Sequence, residues 1–467
     1  MRVEKDLLGE LEVPADACYG IHTRRAMENF RLSGRGLHPE LVSALAKVKK
    51  ACARTNRELG FLPDAVGKAV ISACDEIIEG RWRDHILVDA LQGGAGTSAN
   101  MNLNEVIANR AEELLGGQRG RYETVHPVLH VNLHQSTNDV FPTAVKVAAI
   151  NLFKELEKAI ASLQGAFQAR EREFSEVVKM GRTQLQDATP MTLGAEFSAW
   201  AEALARDRWR VFKCEERLRV VNLGGTAIGT GVTAPRKYIF LVVERLREET
   251  GLGLARAENL VDATQNADPF VEVSGILKAH AMNLFKISSD LRLLASGPKT
   301  GLGELLLPEV QAGSSIMPGK VNPVICEAVG QVAIVVMAND LALTQAAQSG
   351  QLELNAFMPL IAQALLESLS LLTSANVMFR DRCIQGIRVN REVCTEQVNR
   401  SWATVTALLP ALGYEKATEV AREVKATGKS VSEVVLELGL LDKETLDYLL
   451  SAEAMTSLGF SGKGGRN

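Results

Sequence analysis

The sequence predicts an all-α fold built around a bundle of long helices. Residues 143–178 place apolar side chains at three- and four-residue spacing without a proline, and residues 191–221 and 269–296 show similar spacing. Such runs exceed the usual helix length of roughly 10 to 14 residues and are typical of bundles. Residues 333–338 are all apolar, so a helix through them has no polar face and belongs in a core or between subunits.

The remaining helical patterns divide the chain into three regions. In chain order they cover residues 41–59, 66–78, 99–115, 323–350, 352–386, 431–438 and 443–450. Pro359 could kink the helix in which it lies, and the tail at residues 462–465 is predicted to be disordered. We predict an N-terminal domain of short helices and loops (residues 1–138), a central long-helix bundle domain (139–393) and a small C-terminal helical domain (394–467).

Composition indicates a globular protein and argues against several function classes. Hydrophobic residues make up 46% of the 467 residues and charged residues 23%. The net charge of −4, without a basic stripe, gives no support to binding of nucleic acid or of a membrane surface. The N-terminus has no apolar signal region, and no stretch reaches the roughly 20 apolar residues expected of a membrane span. Seven scattered cysteines indicate reduced thiols and a cytoplasmic protein.

The densest group of chemically useful side chains lies in residues 313–324, between two helical patterns. Two glycines there permit backbone shapes closed to other residues, so the segment is predicted to be a mobile loop. Lys320 supplies a positive charge for a carboxylate or phosphate, and Asn322 can both donate and accept. Ser314 or Ser315 could act as a base or nucleophile if its alkoxide is stabilised. On composition alone, an ordinary Ser/Gly-rich surface loop is the favoured explanation, because such loops are common.

Three further polar segments interrupt the helical patterns. Residues 93–98 form a Gly-rich turn before a helix, which can present backbone N–H groups to an anion. The same turn could simply cap the helix with the hydroxyl of Thr97 or Ser98. Residues 135–139, Gln-Ser-Thr-Asn-Asp, place successive hydrogen-bonding side chains near the start of the longest helix, where they suit a carboxylate. Residues 181–187 form a polar connection between two long helices.

In this order, the four segments resemble the active-site segments of the aspartase/fumarase superfamily, whose members eliminate a group from a succinyl compound to give fumarate. Residues 313–324 resemble its signature loop at essentially every position, and the likeness extends from residues 13–16 to residues 428–431. The resemblance implies a three-domain all-α fold and a homotetramer whose active sites are composed of segments from three subunits. It implies no organic cofactor, and the sequence leaves activation by a divalent cation open.

The resemblance also implies a role for each segment. Ser314 is implied as the base that removes the proton next to the β-carboxylate, which gives a doubly negative aci-carboxylate. Preorganised donors must stabilise that charge, and a loop that closes over the substrate could supply N–H donors to the serine alkoxide. The residues implied to bind the substrate are Thr97, Ser98, Ser136, Thr137, Asn138, Thr183, Gln184, Ser315, Met317, Lys320 and Asn322.

Small differences favour the aspartase branch of the superfamily, with L-aspartate as substrate and fumarate and ammonia as products. Fumarases typically carry Ser, Ser, His and Thr at the positions of Ala95, Thr137, Gln184 and Val324. A His at the position of Gln184 could carry a proton for a water leaving group, whereas Gln cannot. Residues 326–328, Cys-Glu-Ala, instead resemble fumarases, so fumarate hydration is retained as the alternative.

Other hypotheses fit the residues less well. Argininosuccinate and adenylosuccinate lyases share the signature loop but differ at the second and third segments. A non-enzymatic structural protein on the same scaffold, like the lens crystallins related to this superfamily, could lose its loop serines, which this chain retains. Histidines at residues 126, 130 and 134 recur every four residues, but Pro127 interrupts a continuous helix and no cysteine lies near, so no metal site is predicted.

Overall fold

The structure, a computed structural model, describes residues 1–459, so the predicted disordered tail at residues 462–465 lies outside the described residues. Helices dominate this part of the chain, which confirms the all-α prediction. The α-helices are α1 (Ile21–Asn29), α2 (Pro39–Glu58), α3 (Asp64–Ile78), α4 (Thr97–Leu114), α5 (Thr137–Glu173), α6 (Leu193–Phe212), α7 (Cys214–Leu218), α8 (Arg236–Thr250), α9 (Leu260–Gln265), α10 (Asp268–Leu294), α11 (Val324–Gln348), α12 (Met358–Arg382), α13 (Arg391–Arg400), α14 (Leu409–Thr427), α15 (Val431–Glu437), α16 (Lys443–Leu449) and α17 (Ala452–Thr456).

Short strands pair two by two within residues 1–459. The strands are β1 (Arg2–Asp6), β2 (Gly9–Val13), β3 (Val178–Thr183), β4 (Gln186–Thr192), β5 (Val220–Val221), β6 (Ala255–Arg256), β7 (Leu305–Leu306) and β8 (Arg388–Val389). The sheets are β1–β2, β3–β4 and β7–β8, all antiparallel, and the parallel pair β5–β6. The β3–β4 hairpin lies where the sequence indicated only a polar connection, so that part of the prediction is wrong.

Most helices follow the predicted apolar runs, and prolines explain two differences. α5 begins before Pro142 rather than after it. A proline inside a helix frees the carbonyl four residues earlier, and here that carbonyl, Asn138 O, accepts a hydrogen bond from Asn222 Nδ2 at 3.0 Å. Pro359 is the second residue of α12, where its missing N–H costs nothing, so it starts that helix and does not kink it.

The chain forms two compact units. Unit 1 comprises Met1–Lys158, Asp207–Met282 and Val332–Ser374, and unit 2 comprises Ala159–Arg206, Asn283–Gln331 and Ala375–Asn467, described as far as residue 459. In unit 1, α2 packs against α3 and α8, and α3 packs against α4. In unit 2, residues from α14, α15 and α16 share one apolar core. The division into domains at residues 138 and 393 stays a prediction.

Two helical stretches, Val324–Gln348 and Met358–Gly386, are long and apolar enough to cross a membrane by length and composition. The expectation that no stretch reaches that length is therefore wrong. The first stretch nevertheless contains Asp340, which is 6% exposed and accepts hydrogen bonds from Ser274 Oγ at 2.7 Å and Lys278 Nζ at 2.6 Å. A paired carboxylate of this kind is typical of a protein interior, and a core helix of a bundle passes the same length and composition test.

Candidate active site

The first segment turns sharply into α4. Gly96 is the N-cap residue and has a φ of 96°. A Cβ there would lie 2.6 Å from the ring of Phe141, so glycine is required by both the backbone conformation and the close approach. The exposed Thr97 donates its hydroxyl to Gly94 O at 2.7 Å, and no side chain caps the helix. The alternative that a hydroxyl of this turn is the N-cap is therefore wrong.

A buried carboxylate holds the backbone of the second segment in place through hydrogen bonds. Asp139 is fully buried and accepts backbone N–H groups of Ser136 at 2.9 Å, Gly224 at 3.0 Å and Thr226 at 3.1 Å. Burial raises the pKa of the Asp139 carboxyl to about 6, although the N–H donors favour its charged form. Asn138 Nδ2 donates to Ala227 O at 2.8 Å. These bonds fix the backbone that presents Ser136, Thr137 and Asn138.

A series of hydrogen-bonded amides, in which Asn100 is buried and Asn132 is partly buried, joins α4 to the second segment. Asn100 Nδ2 donates to Thr137 Oγ1 at 3.0 Å and to Asn132 Oδ1 at 3.2 Å. The same Asn132 Oδ1 accepts from Asn104 Nδ2 at 3.1 Å and from Lys49 Nζ at 2.9 Å. Lys49, Asn100 and Asn132 were not among the predicted site residues. The available signal was the alternation of asparagines at residues 100, 102 and 104, which is unusual in a buried helix.

A small cavity adjoins the same segments in unit 1. Its lining includes Ala95, Asn138 and the buried Lys146, and its volume is about 10 Å³. That volume holds roughly one water molecule, so the cavity does not accommodate a dicarboxylate. Lys146 Nζ donates to Val220 O at 2.7 Å, and burial lowers the pKa of this lysine to about 8.

The third segment forms the tip of the β3–β4 hairpin. Thr183 pairs with Gln186, which leaves Gln184 and Leu185 as a two-residue turn. Both turn residues have positive φ, 53° and 62°, a conformation that favours Gly or Asn. Strained side-chain-bearing residues at an exposed turn motivate a functional hypothesis, because the backbone cost persists only where something offsets it.

Buried charges hold the base of this hairpin. The fully buried Glu304 lies 2.6 Å from Arg182 Nη1 and 3.2 Å from Lys179 Nζ. Lys179 Nζ also lies 2.8 Å from Glu196 Oε2, and Arg182 Nη2 donates to Gln397 Oε1 at 2.9 Å. Arg182 thus pairs with a carboxylate directly before Thr183. Removal of one member would leave an uncompensated buried charge.

The loop at residues 313–324 is closed by its own bonds. Gly313 N donates to Lys320 O at 2.8 Å, and Asn322 Nδ2 donates to Gly313 O at 2.7 Å. Ser314 Oγ accepts the backbone N–H of Met317 at 2.9 Å and that of Ile316 at 3.2 Å. Two N–H donors on one hydroxyl oxygen favour its ionised form. Ser314 is partly buried, whereas Ser315, Met317 and Lys320 are exposed.

The structure brings together only some of the predicted residues. Unit 1 holds the first two segments, with Thr97, Ser98, Ser136, Thr137 and Asn138. Asn100 links them, because its backbone N–H donates to Gly96 O and its Nδ2 donates to Thr137 Oγ1. Unit 2 holds the hairpin tip and the loop. Among residues 1–459 no hydrogen bond or ion pair joins that tip to the loop.

The three spaced histidines take separate structural roles. His126 Nδ1 accepts the N–H groups of Val128 and Leu129, and His130 Nδ1 accepts the N–H of His126. His134 Nδ1 lies 2.7 Å from Asn56 Oδ1. Burial lowers the pKa of each of these histidines. Within residues 1–459, no group of three or more His, Cys, Asp or Glu side chains is placed to hold a metal ion.

Comparison with protein families gives two matches along the chain. The family described as Lyase matches residues 9–338, and the family described as Fumarase C C-terminus matches residues 405–457. Together the two matches include all four polar segments and the C-terminal helices.

Curated relatives cover almost the whole chain. Aspartate ammonia-lyase of Bacillus sp is 48% identical over 463 residues, 99% of each chain. Aspartate ammonia-lyase of Pseudomonas fluorescens is 52% identical over 457 residues, which covers 97% of this chain and 96% of the relative. Aspartate ammonia-lyase of Escherichia coli strain K12 is 47% identical over 466 residues, 99% and 98% of the two chains.

Solved structures share the fold at full length. A fumarate lyase:delta crystallin from Brucella melitensis bound to cobalt has a TM-score of 0.94 and 50% identity, covering 97% of this chain and 98% of that chain. A class II fumarase from Schistosoma mansoni has a TM-score of 0.92 and 35% identity, covering 97% and 99%. Both membrane-length helical stretches therefore fall in a chain whose fold is that of solved lyases.

Proposed function

Since this chain belongs to the aspartase/fumarase superfamily of lyases, we propose that it catalyses the reversible deamination of L-aspartate to fumarate and ammonia. Its enzyme class is that of a carbon–nitrogen lyase. The choice of aspartate is supported by the aspartate ammonia-lyases that are 48% and 52% identical to this chain over nearly its full length. It is also supported by Gln184, which lacks the titratable ring of a histidine.

Ser314 is the proposed base. A serine hydroxyl is a poor base in water, so its alkoxide needs donors already in place. The observation that carries this role is the pair of backbone N–H groups, from Ile316 and Met317, on Ser314 Oγ. Both donors come from the loop itself, so they accompany the serine wherever the loop moves. Lys320, six residues further on, supplies the positive charge of the same loop.

The developing negative charge determines what the other segments do. Proton removal next to the β-carboxylate sends two electrons into that carboxylate, which becomes a doubly negative aci-carboxylate. Hydroxyl donors aimed at the developing charge lower the barrier more than they stabilise the bound substrate. Thr97, Ser136, Thr137 and Thr183 are the proposed donors, aided by Ser98 and Ser315.

The α-carboxylate and the amino group need fixed positions for the same reason. Lys320 and Asn322 are proposed to hold the α-carboxylate, with Met317 beside them, so that the reacting bonds align. Asn138 and Gln184 are proposed to lie near the amino group. Neither side chain titrates near neutral pH, which fits departure of the amine as ammonia, with solvent handling its proton.

The experiment that tests the substrate follows ultraviolet absorbance of fumarate with L-aspartate and L-malate supplied separately to the purified chain. Turnover of L-aspartate, with little or none of L-malate, is the expected result. Turnover of L-malate alone would overturn the proposal in favour of fumarate hydration, the alternative that residues 326–328 favour. Absence of turnover with either compound would favour a structural protein on this scaffold.

A homotetramer with composite active sites is proposed as the working form. Ile334, Val335 and Leu341 of α11 are 56%, 41% and 62% exposed, and exposed apolar groups of this size mark subunit interfaces. In a mixture of Thr137→Val and Ser314→Ala chains, assembled sites that draw each segment from an intact subunit regain turnover. An active monomer in sedimentation-coupled assays would overturn the composite site.

The proposed chemistry uses hydroxyl, amide and ammonium groups of the chain, so we propose that no organic cofactor is required. Dialysis against a chelator should leave turnover of L-aspartate in place, and a loss restored by a divalent cation would instead identify metal activation. A cytoplasmic location is also proposed, because the cysteines within residues 1–459 are all buried free thiols.

A further inference from the structure

The hydrogen bonds among the amides near Thr137 run in a direction that one residue fixes. Lys49 is fully buried on α2, and its ammonium donates to Asn132 Oδ1 and Gln135 Oε1, each at 2.9 Å. An ammonium carries three donors and no acceptor. The atom of Asn132 that faces it must therefore be the oxygen. The opposite face of the same amide agrees, because Asn132 Nδ2 donates to Gln135 O at 3.2 Å.

The direction set at Asn132 passes to the next amide. With an oxygen at Asn132 Oδ1, the group of Asn100 that lies 3.2 Å away must be its NH₂. The same Asn100 Nδ2 lies 3.0 Å from Thr137 Oγ1. The opposite orientation of Asn100 would bring two amide oxygens to 3.2 Å from each other and leave the buried Asn100 oxygen facing an acceptor, which is unfavourable.

The hydrogen bond from Asn100 to Thr137 decides whether the Thr137 hydroxyl can donate to a substrate. Since Thr137 Oγ1 accepts from Asn100, its hydrogen is not used in that bond. No other hydrogen bond of this hydroxyl occurs among residues 1–459. A reversed Asn100 would instead take the hydroxyl hydrogen into the protein and leave only a lone pair, which repels a carboxylate.

We propose that Lys49 is a positioning residue of the active site: its buried ammonium fixes the direction of the Asn132–Asn100–Thr137 chain and keeps the Thr137 hydroxyl hydrogen free to donate to the substrate carboxylate. This inference rests on the proposed function, because the carboxylate is that of the succinyl substrate. Lys49 touches no substrate, and its effect reaches the site only through the two asparagines.

The titratable groups that face Lys49 are consistent with this role. They are Asp139 on α5, with Cys52 on its own helix and Cys74 on α3. Burial raises the pKa of both thiols, so they stay neutral, and Tyr238 on α8, which packs near Cys52 and Asp139, has its pKa raised well above its usual value. Burial lowers the pKa of Lys49 to about 8, which leaves an ammonium at neutral pH.

A double-mutant cycle tests the proposal with L-aspartate as substrate. Thr137→Val should lower kcat/KM by about 100-fold, the usual effect of one lost donor to a developing anion. Lys49→Met should lower it by about 10- to 100-fold, as expected of a residue that orients a binding group. If Lys49 acts through Thr137, the double variant is no worse than Thr137→Val alone. A product of the two single losses would overturn the proposal.

Matched variants separate an effect on the direction of these hydrogen bonds from an effect on folding. Lys146→Met removes the other buried lysine of unit 1, which donates to Val220 O and has no part in the chain, so its effect should multiply with that of Thr137→Val. Lys49→Gln keeps a donor toward Asn132 and should retain more activity than Lys49→Met. Asn100→Asp presents only acceptors to Thr137 and should lower kcat/KM as much as Thr137→Val does. Wild-type kcat/KM in Asn100→Asp would overturn the proposal even if Lys49→Met fails to fold.

A readout without turnover keeps this inference distinct from the proposed function. If the wild-type protein turns over neither L-aspartate nor L-malate, the proposed function fails. Neutron diffraction can still locate the deuterons in the Asn132–Asn100–Thr137 hydrogen bonds. The expected result is a deuteron of Asn100 Nδ2 between Asn100 and Thr137. A deuteron of Thr137 in that position would overturn the direction assigned to the chain.

Discussion

Ser314 and Thr137 are both hydroxyls that accept hydrogen bonds, yet their partners differ in origin. Ser314 is partly buried in the loop, and its donors are backbone N–H groups two and three residues along the chain. Thr137 is buried, and its donor is the side chain of Asn100, 37 positions away, which Lys49 orients from another helix. The first arrangement depends on the local backbone, and the second depends on three packed helices.

This difference indicates which substitutions will change activity alone and which will change activity and stability together. Loss of the Ser314 hydroxyl removes a group whose partners are exposed or solvated, so the fold is little affected. Loss of a member of the buried set around Thr137 leaves polar atoms unsatisfied, so folding and activity change together. Variants in the two regions can therefore be ordered by how far activity and stability separate.

The largest expected effect is that of Ser314→Ala. The turnover number for L-aspartate should fall about 10³- to 10⁴-fold, because the base is removed, while the free energy of unfolding changes by less than about 0.5 kcal/mol. Thr418→Ala is a matched control, since it deletes an exposed hydroxyl that bonds to Tyr414 O on α14. Retained turnover in Ser314→Ala would remove this serine from its proposed role.

The next effect should be on stability. Asp139→Ala leaves the N–H groups of Ser136, Gly224 and Thr226 without their acceptor. Because each unsatisfied buried donor costs about 1–3 kcal/mol and the three are coupled, the free energy of unfolding should fall by roughly 2–5 kcal/mol. Denaturant titration measures it, and an unchanged midpoint would mean that this carboxylate is not the anchor of the second segment.

The pH dependence of Lys49 should show opposite signs in activity and in stability. Lys49 fixes the direction of the Asn132–Asn100–Thr137 hydrogen bonds only while its amine is protonated. The ratio of wild-type to Lys49→Met kcat/KM should therefore be largest below pH 8 and should shrink above it. The pKa of Lys49 is lowered from 10.5 to about 8 on folding, so the unfolded chain binds more protons between these values. The stability of the wild type relative to Lys49→Met should therefore rise from pH 8 to pH 10.5.

Kinetics and denaturant titrations of both chains across this pH range provide the measurement. The ratio cancels the titration of the substrate amino group, which both chains share. Parallel curves for the two chains, with a constant ratio at all pH values, would contradict the assignment of this proton to Lys49.

The smallest expected effect lies at the hairpin tip. Gln184→Gly should raise the free energy of unfolding by about 0.5–1 kcal/mol, because glycine adopts the positive φ of 53° without strain, and should lower kcat/KM for L-aspartate. Leu185→Gly relieves the same kind of strain at φ 62° and removes an exposed side chain outside the proposed site. It should stabilise the chain without loss of turnover, and equal losses in both variants would assign the effect to the turn alone.

The sequence by itself determined the helical class, the positions of most helices, the four polar segments and their resemblance to the superfamily. It also pointed to backbone donors for Ser314. Each of these depends on residues within about four positions of one another, or on a motif that keeps its order along the chain.

Tertiary structure alone decided the β3–β4 hairpin, the burial of Glu304 beside Arg182 and the amide chain from Lys49 to Thr137. Lys49 and Asn132 are 83 positions apart, so no local pattern indicates that they meet. The direction of these hydrogen bonds also depends on the burial of Lys49, Asn100 and Thr137, because solvent around them would supply both donors and acceptors and weaken the preference for one orientation. The hydroxyl that the sequence placed in the second segment thus owes its proposed role as a donor to packing.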